Sequence, residues 1–469
     1  MNARQSSPVQ QVPGPSTGVS PRDVMSSGGP SGGFLGQADS RKRLARVGML
    51  LWMALLYAAV QPGLMSGDSL DQYGQGLAGS YSDIHPPLGS WLIGLSGRLV
   101  GSPWLVLVLQ LALLSGGMAV LIRSMDARTG RRGLVVFGAF LLMPTVWTLA
   151  VVLWKDVMVA ALLLCAVVAL KSRRPFVALL LLCAGVAYRH NALVAAVPLA
   201  IPVVAQWAPA PRWRFPARAL LFMVVVAGLV FTPSVVNRTL DARRGWAAGQ
   251  LFIYDLAAIY VSHPEKLADS FLVEDTTPAE LAKLYDIHHV WHIFDGVEGA
   301  RPIAFPSLEA RRETLVAEWK RVVPRHLTTW MKHRVAVFRR MLGADSYPVW
   351  GPFHRKIDAN SWNLHPPTEG FLFRTLQRVE DAVDGSFVFR GWLWVLGLVG
   401  LSLVALRRVK RHFLAFFTGM SGLAYASAYL FIGIGSDFRF IYWSVIALFA
   451  TVALLVCPPE QTDSSSKPV

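Results

Sequence analysis

Asp68, Asp71, Asp83 and His85 stand close together in GDSLDQYGQGLAGSYSDIHPPLGSWL (67–92), just ahead of an apolar run that Pro86 and Pro87 pre-set as a helix start. A carboxylate held at a helix end can take the proton of a hydroxyl or amine and make it a nucleophile. Asp68 is the best placed of the three acids for that role; a solvated loop that only starts the next helix is the plain alternative. Three more polar islands break apolar runs: Trp154-Lys155-Asp156, Arg189-His190-Asn191 and Asp437-Phe438-Arg439. A charge at mid-membrane depth costs about 2.5–3.5 kcal/mol on insertion scales, so such residues face a wet cavity or pair with one another. Lys155, Arg189, His190 and Arg439 would suit an anionic phosphate, the arginines by gripping two oxygens and the lysine as a point charge. The competing readings are a local Lys155–Asp156 pair at a helix end and interfacial anchoring by Arg189 and His190.

The elements that must position these residues follow from composition. Of 469 residues, 53% are hydrophobic and 16% charged, with mean hydropathy +0.42, which is the profile of a multi-pass membrane protein. The net charge of +16 does not imply nucleic acid, because residues 237–389 carry 19 residues of each sign and the excess sits in short runs between apolar stretches. Those runs are Arg41-Lys42-Arg43, Arg131-Arg132, Lys171 to Arg174, Arg212 to Arg218 and Arg407 to Arg411, and the positive-inside rule assigns them to the cytoplasm. Ten spans satisfy this, at roughly 44–65, 103–122, 133–153, 157–170, 176–188, 192–205, 219–236, 390–406, 413–434 and 441–457, three of them short for a full crossing. All four polar islands then face outward, together with the segment 237–389, and 88–100 lies along the outer interface.

The expected fold is therefore all-α and polytopic, with about ten transmembrane helices and one mixed extracytoplasmic domain. Residues 1–43 read as a disordered cytoplasmic tail, since the first forty hold 8 Ser, 7 Gly and 5 Pro. The N-terminal membrane block follows at 44–236 with its outer loop at 66–87, then the outer domain 237–389, the C-terminal block 390–457 and a short tail 458–469. Cys165, Cys183 and Cys457 have no spaced partners and read as small buried hydrophobes.

The order of an acidic residue, a polar helix with Gln72 and Tyr73, and then DIHPPLG at 83–89 resembles the first outer loop of protein O-mannosyltransferases and related C-type membrane glycosyltransferases. That resemblance implies a membrane enzyme that takes a sugar from a polyprenyl-phosphate carrier on the outer face. It would make Asp68 the catalytic acid of the loop and match His85, Pro86 and Pro87 to its HPP element. Ser69 stands where family members often carry Glu, which keeps Asp71 as a second candidate base. Polar interruptions at 154–156 and 189–191 share the layout, and Asp437-Phe438-Arg439 is similar to a DxRY-like ending. Large C-terminal modules of the protein mannosyltransferases are missing, so the acceptor expected is an envelope glycan, a lipid or a protein. Inversion at the anomeric carbon follows if base and phosphate lie on opposite faces. No cofactor is required; a divalent cation between Asp68 and Asp156 is an option. The expected location is a bacterial inner membrane with the site facing out. The other classes weighed are a transporter or flippase of a lipid-linked sugar, against which no repeated halves are seen, and an enzyme of the O-antigen ligase or polymerase kind.

Within 318–343, Val322, Val323, Leu327, Trp330, Met331, Val335 and Phe338 recur at near-helical spacing among basic residues, with Pro324 at a bend or start. This helix would lie on the bilayer or pack on its own domain. His288, His289 and His292 in IHHVWH lack the Glu of an HExxH motif and any indicated third ligand, and no metal site is expected there. The second HPP, at 365–367, reads as loop chemistry, and the sequon at Asn237 abuts a span.

Overall fold

The structure is a computed structural model that describes residues 31–123, 130–208, 215–345 and 353–456. Most of the expected N-terminal tail, the C-terminal tail and Cys457 lie outside these residues. Helix α1 (Ser31–Val60) already begins inside the segment expected to be disordered, so residues 31–43 continue the first apolar helix.

After α1, two helices form a hairpin: α2 (Gly67–Ala78) and α3 (Pro87–Val100). They cross at Gly76 and Gly94, where a Cβ on Gly76 would lie 2.0 Å from the Ser90 carbonyl oxygen. Small residues here let the two backbones touch. The bundle continues with α4 (Trp104–Arg123), α5 (Gly130–Leu142), α6 (Pro144–Ala150), α7 (Lys155–Lys171), α8 (Pro175–Tyr188), α9 (Ala192–Trp207) and α10 (Phe215–Thr239). The single span expected at 133–153 is bent by 53° between α5 and α6. Pro144, without an amide hydrogen, forces that break and becomes the first residue of the new helix.

The chain returns to the bundle with α18 (Gly391–Arg407), α19 (Phe413–Ile432) and α20 (Tyr442–Val456). Among the described residues, five helical stretches are long and apolar enough to cross a membrane, in α1, α4, α10, α19 and α20 with its preceding turn; the bent pair makes six. The outward faces agree with this: on α10, Met223, Val224, Phe231 and Val235 are exposed, as are Leu396 and Leu403 on α18. Apolar side chains in solvent-facing rows on several helices are what lipid contact requires. The chain is a multi-pass membrane protein. At its centre α7 is almost wholly buried, against α4, α8 and α20.

Between α10 and α18 lies the long segment expected to face outward. Among the described residues its regular elements are all helices, joined by irregular stretches with only isolated bridges and no strand, so the mixed domain expected there is all-α. Helices α11 (Ala248–Ser262), α12 (Pro278–Leu284), α13 (Trp291–Asp295), α14 (Phe305–Ala310), α15 (Arg312–Val322) and α16 (Leu327–Met341) build most of a second core around Tyr254, Leu284, Leu308 and Val337. Residues 353–389, with α17 (Phe371–Val383), pack on the membrane bundle instead, through Leu364, Phe373 and Phe389.

Pro324 sits in a 3-10 turn at 323–326 that joins α15 to α16. The face of α16 differs from the apolar periodicity: Leu327 and Val335 are exposed, while His333 and Arg334 are buried. Arg334 is drawn inward by Asp255 at 2.5 Å and by the Gly433 carbonyl at 2.7 Å. A buried ion pair, invisible to hydropathy, sets that helix's rotation.

Candidate active site

Polar islands separated by up to several hundred residues meet at one end of the bundle. A short extended run after α1 positions Asp68. The Leu64 amide donates to the Val151 carbonyl at 3.0 Å and the Leu153 amide to the Leu64 carbonyl at 2.9 Å, so 63–66 lies beside 151–153. Ser66 then caps the approach to α2 and accepts from the Trp154 indole at 2.9 Å, while the Ser69 hydroxyl donates to the Leu153 carbonyl at 2.9 Å. Asp68, in the first turn of α2, thereby faces the first turn of α7, which begins with Lys155 and Asp156.

The segment between α10 and α18 closes the other flank. Ile357 pairs with Met65, and the Gly67 amide donates to the Asp358 carboxylate at 2.9 Å. Trp362 packs edge-on against Tyr73 of α2 at 5.3 Å.

Arg439 is the nearest cation to Asp68, at 3.4 Å, and its Nε also lies 2.8 Å from Asp437. Its guanidinium rests over the Trp154 ring at 4.8 Å and the Phe440 ring at 5.5 Å, which fixes the fork's plane. Burial pushes the Asp68 carboxyl up, but Arg439, with Lys155, holds it well below the usual carboxylate range. Asp68 is ionised throughout the physiological range.

Lys155 does not pair with its neighbour Asp156. Its ammonium donates to His85 Nδ1 at 3.0 Å. A ring nitrogen that accepts from an ammonium carries no proton, so the His85 proton sits on Nε2, directed toward Asp71 at 3.6 Å. Burial, with the Lys155 charge, pushes His85 down to about 3, in keeping with a neutral ring. Asp71 is more open, accepts from Gln75 at 2.7 Å, and is raised by burial. Asp71, His85 and Lys155 thus form a chain beside Asp68.

Asp156 and Arg189 lie deeper. Arg189 donates to Asp156 at 2.7 Å and to the Tyr429 hydroxyl at 2.9 Å. Tyr429 stacks on Phe440 at 4.9 Å with the rings 9° apart, so the pair braces the segment carrying Arg439. Arg189 is buried in this arrangement, 7% exposed, and is neither an interfacial anchor nor at the site's mouth. His190, one residue on, is exposed at the rim within electrostatic reach of Asp83 and Lys155. Asp83 is fastened to the chain after α10, accepting from the Gly245 amide at 2.6 Å and from Asn237 at 3.3 Å. It fixes the loop that presents His85, and the Asn237 side chain is occupied in doing so.

Sequence reasoning passed over Tyr429, Phe440 and Asp358, together with Tyr425, whose hydroxyl lies 3.5 Å from that of Tyr429, and His354, whose ring lies 5.7 Å from that of Trp154. Tyr425 and Tyr429, one turn apart inside an apolar helix, offered a signal; Phe440, in a 3-10 turn, and the loop residues His354 and Asp358 did not. The only described group of three or more His, Cys, Asp or Glu side chains spaced to hold a metal is Asp286, His289 and His292, so Asp68 and Asp156 do not belong to such a group. The second HPP is exposed, with His365 bonded to Asn363 at 2.8 Å. In comparisons with known families, curated proteins and solved structures, the chain matches none.

Proposed function

We propose that the chain is an inverting glycosyltransferase that moves a sugar from a polyprenyl-phosphate donor to a hydroxyl of an envelope glycan, a lipid or a protein. One observation carries this reading: an ionised carboxylate, Asp68, stands 3.4 Å from the aromatic-framed guanidinium of Arg439, with the Lys155 ammonium beside it. A base next to preorganised cations is what a reaction needs when it deprotonates an acceptor and expels a phosphate.

In this proposal the acceptor O–H gives its proton to Asp68 and its oxygen attacks the anomeric carbon. The bond from that carbon to the phosphate oxygen breaks, and the electron pair leaves with polyprenyl phosphate. Arg439 grips two phosphate oxygens and Lys155 adds a point charge. Before donor arrives these cations are neutralised by Asp68, whose low pKa makes it a weak base. A bound phosphate competes for Arg439 and Lys155, which releases Asp68 and raises its basicity at the moment it is needed. Asp156, Arg189 and Tyr429 hold the cationic segment in place, and His85 with Asp71 orients Lys155.

The topology that goes with this has ten crossings: α1, α4, α5 with α6, α7, α8, α9, α10, α18, α19 and α20. It is supported by the basic runs, whose described residues fall at the helix ends opposite the site. The α2–α3 hairpin and residues 240–390 then lie outside, and a bacterial inner membrane fits that orientation.

Mass spectrometry of lipid extracts from cells lacking the chain tests the proposal. One polyprenyl-phosphate sugar is expected to accumulate and the same sugar to vanish from an outer product. An unchanged lipid-linked pool would overturn it, and accumulation confined to the inner leaflet would replace it with a flippase.

A further inference from the structure

The loop before α13 and the first turn of α13 bring together Asp286, His289 and His292, at intervals of three residues. His289 Nε2 lies 3.3 Å and His292 Nδ1 3.7 Å from the same carboxylate oxygen, Asp286 Oδ2. All three donor atoms fall within 4.8 Å of one another. Ligands about 2.0–2.1 Å from a tetrahedral zinc ion are about 3.4 Å apart. The two histidine rings stand at 80° with centroids 4.4 Å apart, so both nitrogens can converge without stacking.

The surroundings hold the carboxylate in the pose a metal needs. Its other oxygen, Oδ1, accepts from the His288 amide and from His288 Nδ1, each at 2.9 Å. Arg340 in turn donates to His288 Nε2 at 2.8 Å, which leaves the His288 proton on Nδ1, facing Asp286. The Tyr254 hydroxyl donates to the Asp286 carbonyl at 2.7 Å and pins the backbone. Outer contacts of this kind are what fix a ligand's orientation in a metal site.

We propose that Asp286, His289 and His292 bind a divalent transition-metal ion of the zinc class, with a fourth position open to solvent beside the partly exposed His292. Two imidazoles and one carboxylate favour such an ion over calcium or magnesium, which take oxygen ligands. The ion fastens a seam. The Val290 amide donates to the Ile434 carbonyl at 2.9 Å and the Ser436 amide to the His288 carbonyl at 2.7 Å, directly before Asp437 and Arg439. The metal loop is thereby stitched to the strip of chain that ends in Arg439. The binding inference stands on these residues alone and does not depend on glycosyl transfer.

The test uses the full chain in detergent, purified without a polyhistidine tag, stripped with chelator and re-equilibrated with Zn²⁺ or Co²⁺. Elemental analysis after gel filtration should find about one equivalent of zinc per chain, and cobalt should give the intense visible bands of a four-coordinate ion. His292→Gln, at an exposed ligand, and Asp286→Asn should each lose at least about tenfold in metal affinity, while His365→Gln keeps it. Zinc should raise the thermal midpoint of the wild type and leave that of His292→Gln unmoved. No retained zinc in the wild type, or retention by His292→Gln equal to wild type, overturns the proposal.

Discussion

Replacing Arg439 by Gln removes a charge while keeping a side chain that can stay between Trp154 and Phe440. At an effective dielectric near 20, the attraction between Asp68 and Arg439 across 3.4 Å is about 5 kcal/mol in gross terms. Desolvation of both groups offsets much of this, so the variant is expected to fold with a modest loss of stability. The functional loss should be larger. A charge-assisted hydrogen bond contributes about 1.5–3 kcal/mol, which corresponds to roughly 10- to 150-fold in affinity for polyprenyl phosphate, the leaving group. Losing one preorganised donor at a developing anion costs about 10²–10³ in rate. Arg439→Lys keeps the charge and loses the fork, so it should fall between. The pH dependence gives a second readout. With Arg439 gone, the Asp68 carboxyl climbs toward its ordinary range, and an acid limb should enter the kcat/KM profile that the wild type lacks. The assay is polyprenyl-phosphate binding by the purified chain, alongside transfer measured on membranes. A Gln variant that folds and binds polyprenyl phosphate like the wild type would refute the phosphate role of Arg439.

Two further outcomes concern the scaffold. Gly76→Val drives a side chain into the Ser90 carbonyl and the Gly94 backbone, 2.0 and 2.6 Å from the new Cβ, and should cost about 3 kcal/mol or more by forcing α2 and α3 apart; Gly138→Ala, with open space around it, should leave the thermal midpoint in place. Glu380 is raised by burial to about 7 despite Arg355 at 3.0 Å. The folded chain therefore keeps a proton that the unfolded chain has lost, and this contribution to stability is full below about 4.5 and declines as pH rises through about 7, by about 3 kcal/mol at most. The difference in thermal midpoint between wild type and Glu380→Gln should follow that slope, and a flat difference would contradict it.

Much of this arrangement was legible because the membrane makes charge expensive. Lys155, Asp156, Arg189, Asp437 and Arg439 stand out against apolar runs, and the expected alternation of basic ends puts them on the same side as Asp68, where the structure brings them together. Their pairings did not follow. Adjacent Lys155 and Asp156 point to different partners because successive residues of a helix face about 100° apart, which sends one to His85 and the other to Arg189. Pro144 was visible, yet whether it kinks a span or ends one depends on the packing of α6. Between α10 and α18 hydropathy misled. Arg334 and His333 are buried by Asp255, a partner far away in sequence, and no periodicity records that. Asp286 was missed as a third donor beside His289 and His292 because its backbone bends back on itself, pairing with His289.

Asp68 stands at the centre of the proposed chemistry, and one comparison isolates it. Cells lacking the chain would be complemented with wild type or with Asp68→Asn at equal abundance, and their envelope glycans, glycolipids and polyprenyl-phosphate sugars compared by mass spectrometry. Asn keeps the shape of the side chain and removes its basicity, so the outer product should stay absent while its lipid-linked sugar accumulates. Full restoration by Asp68→Asn would contradict the role of Asp68 as base and move it to Asp71 or to a chain that carries the sugar without transferring it.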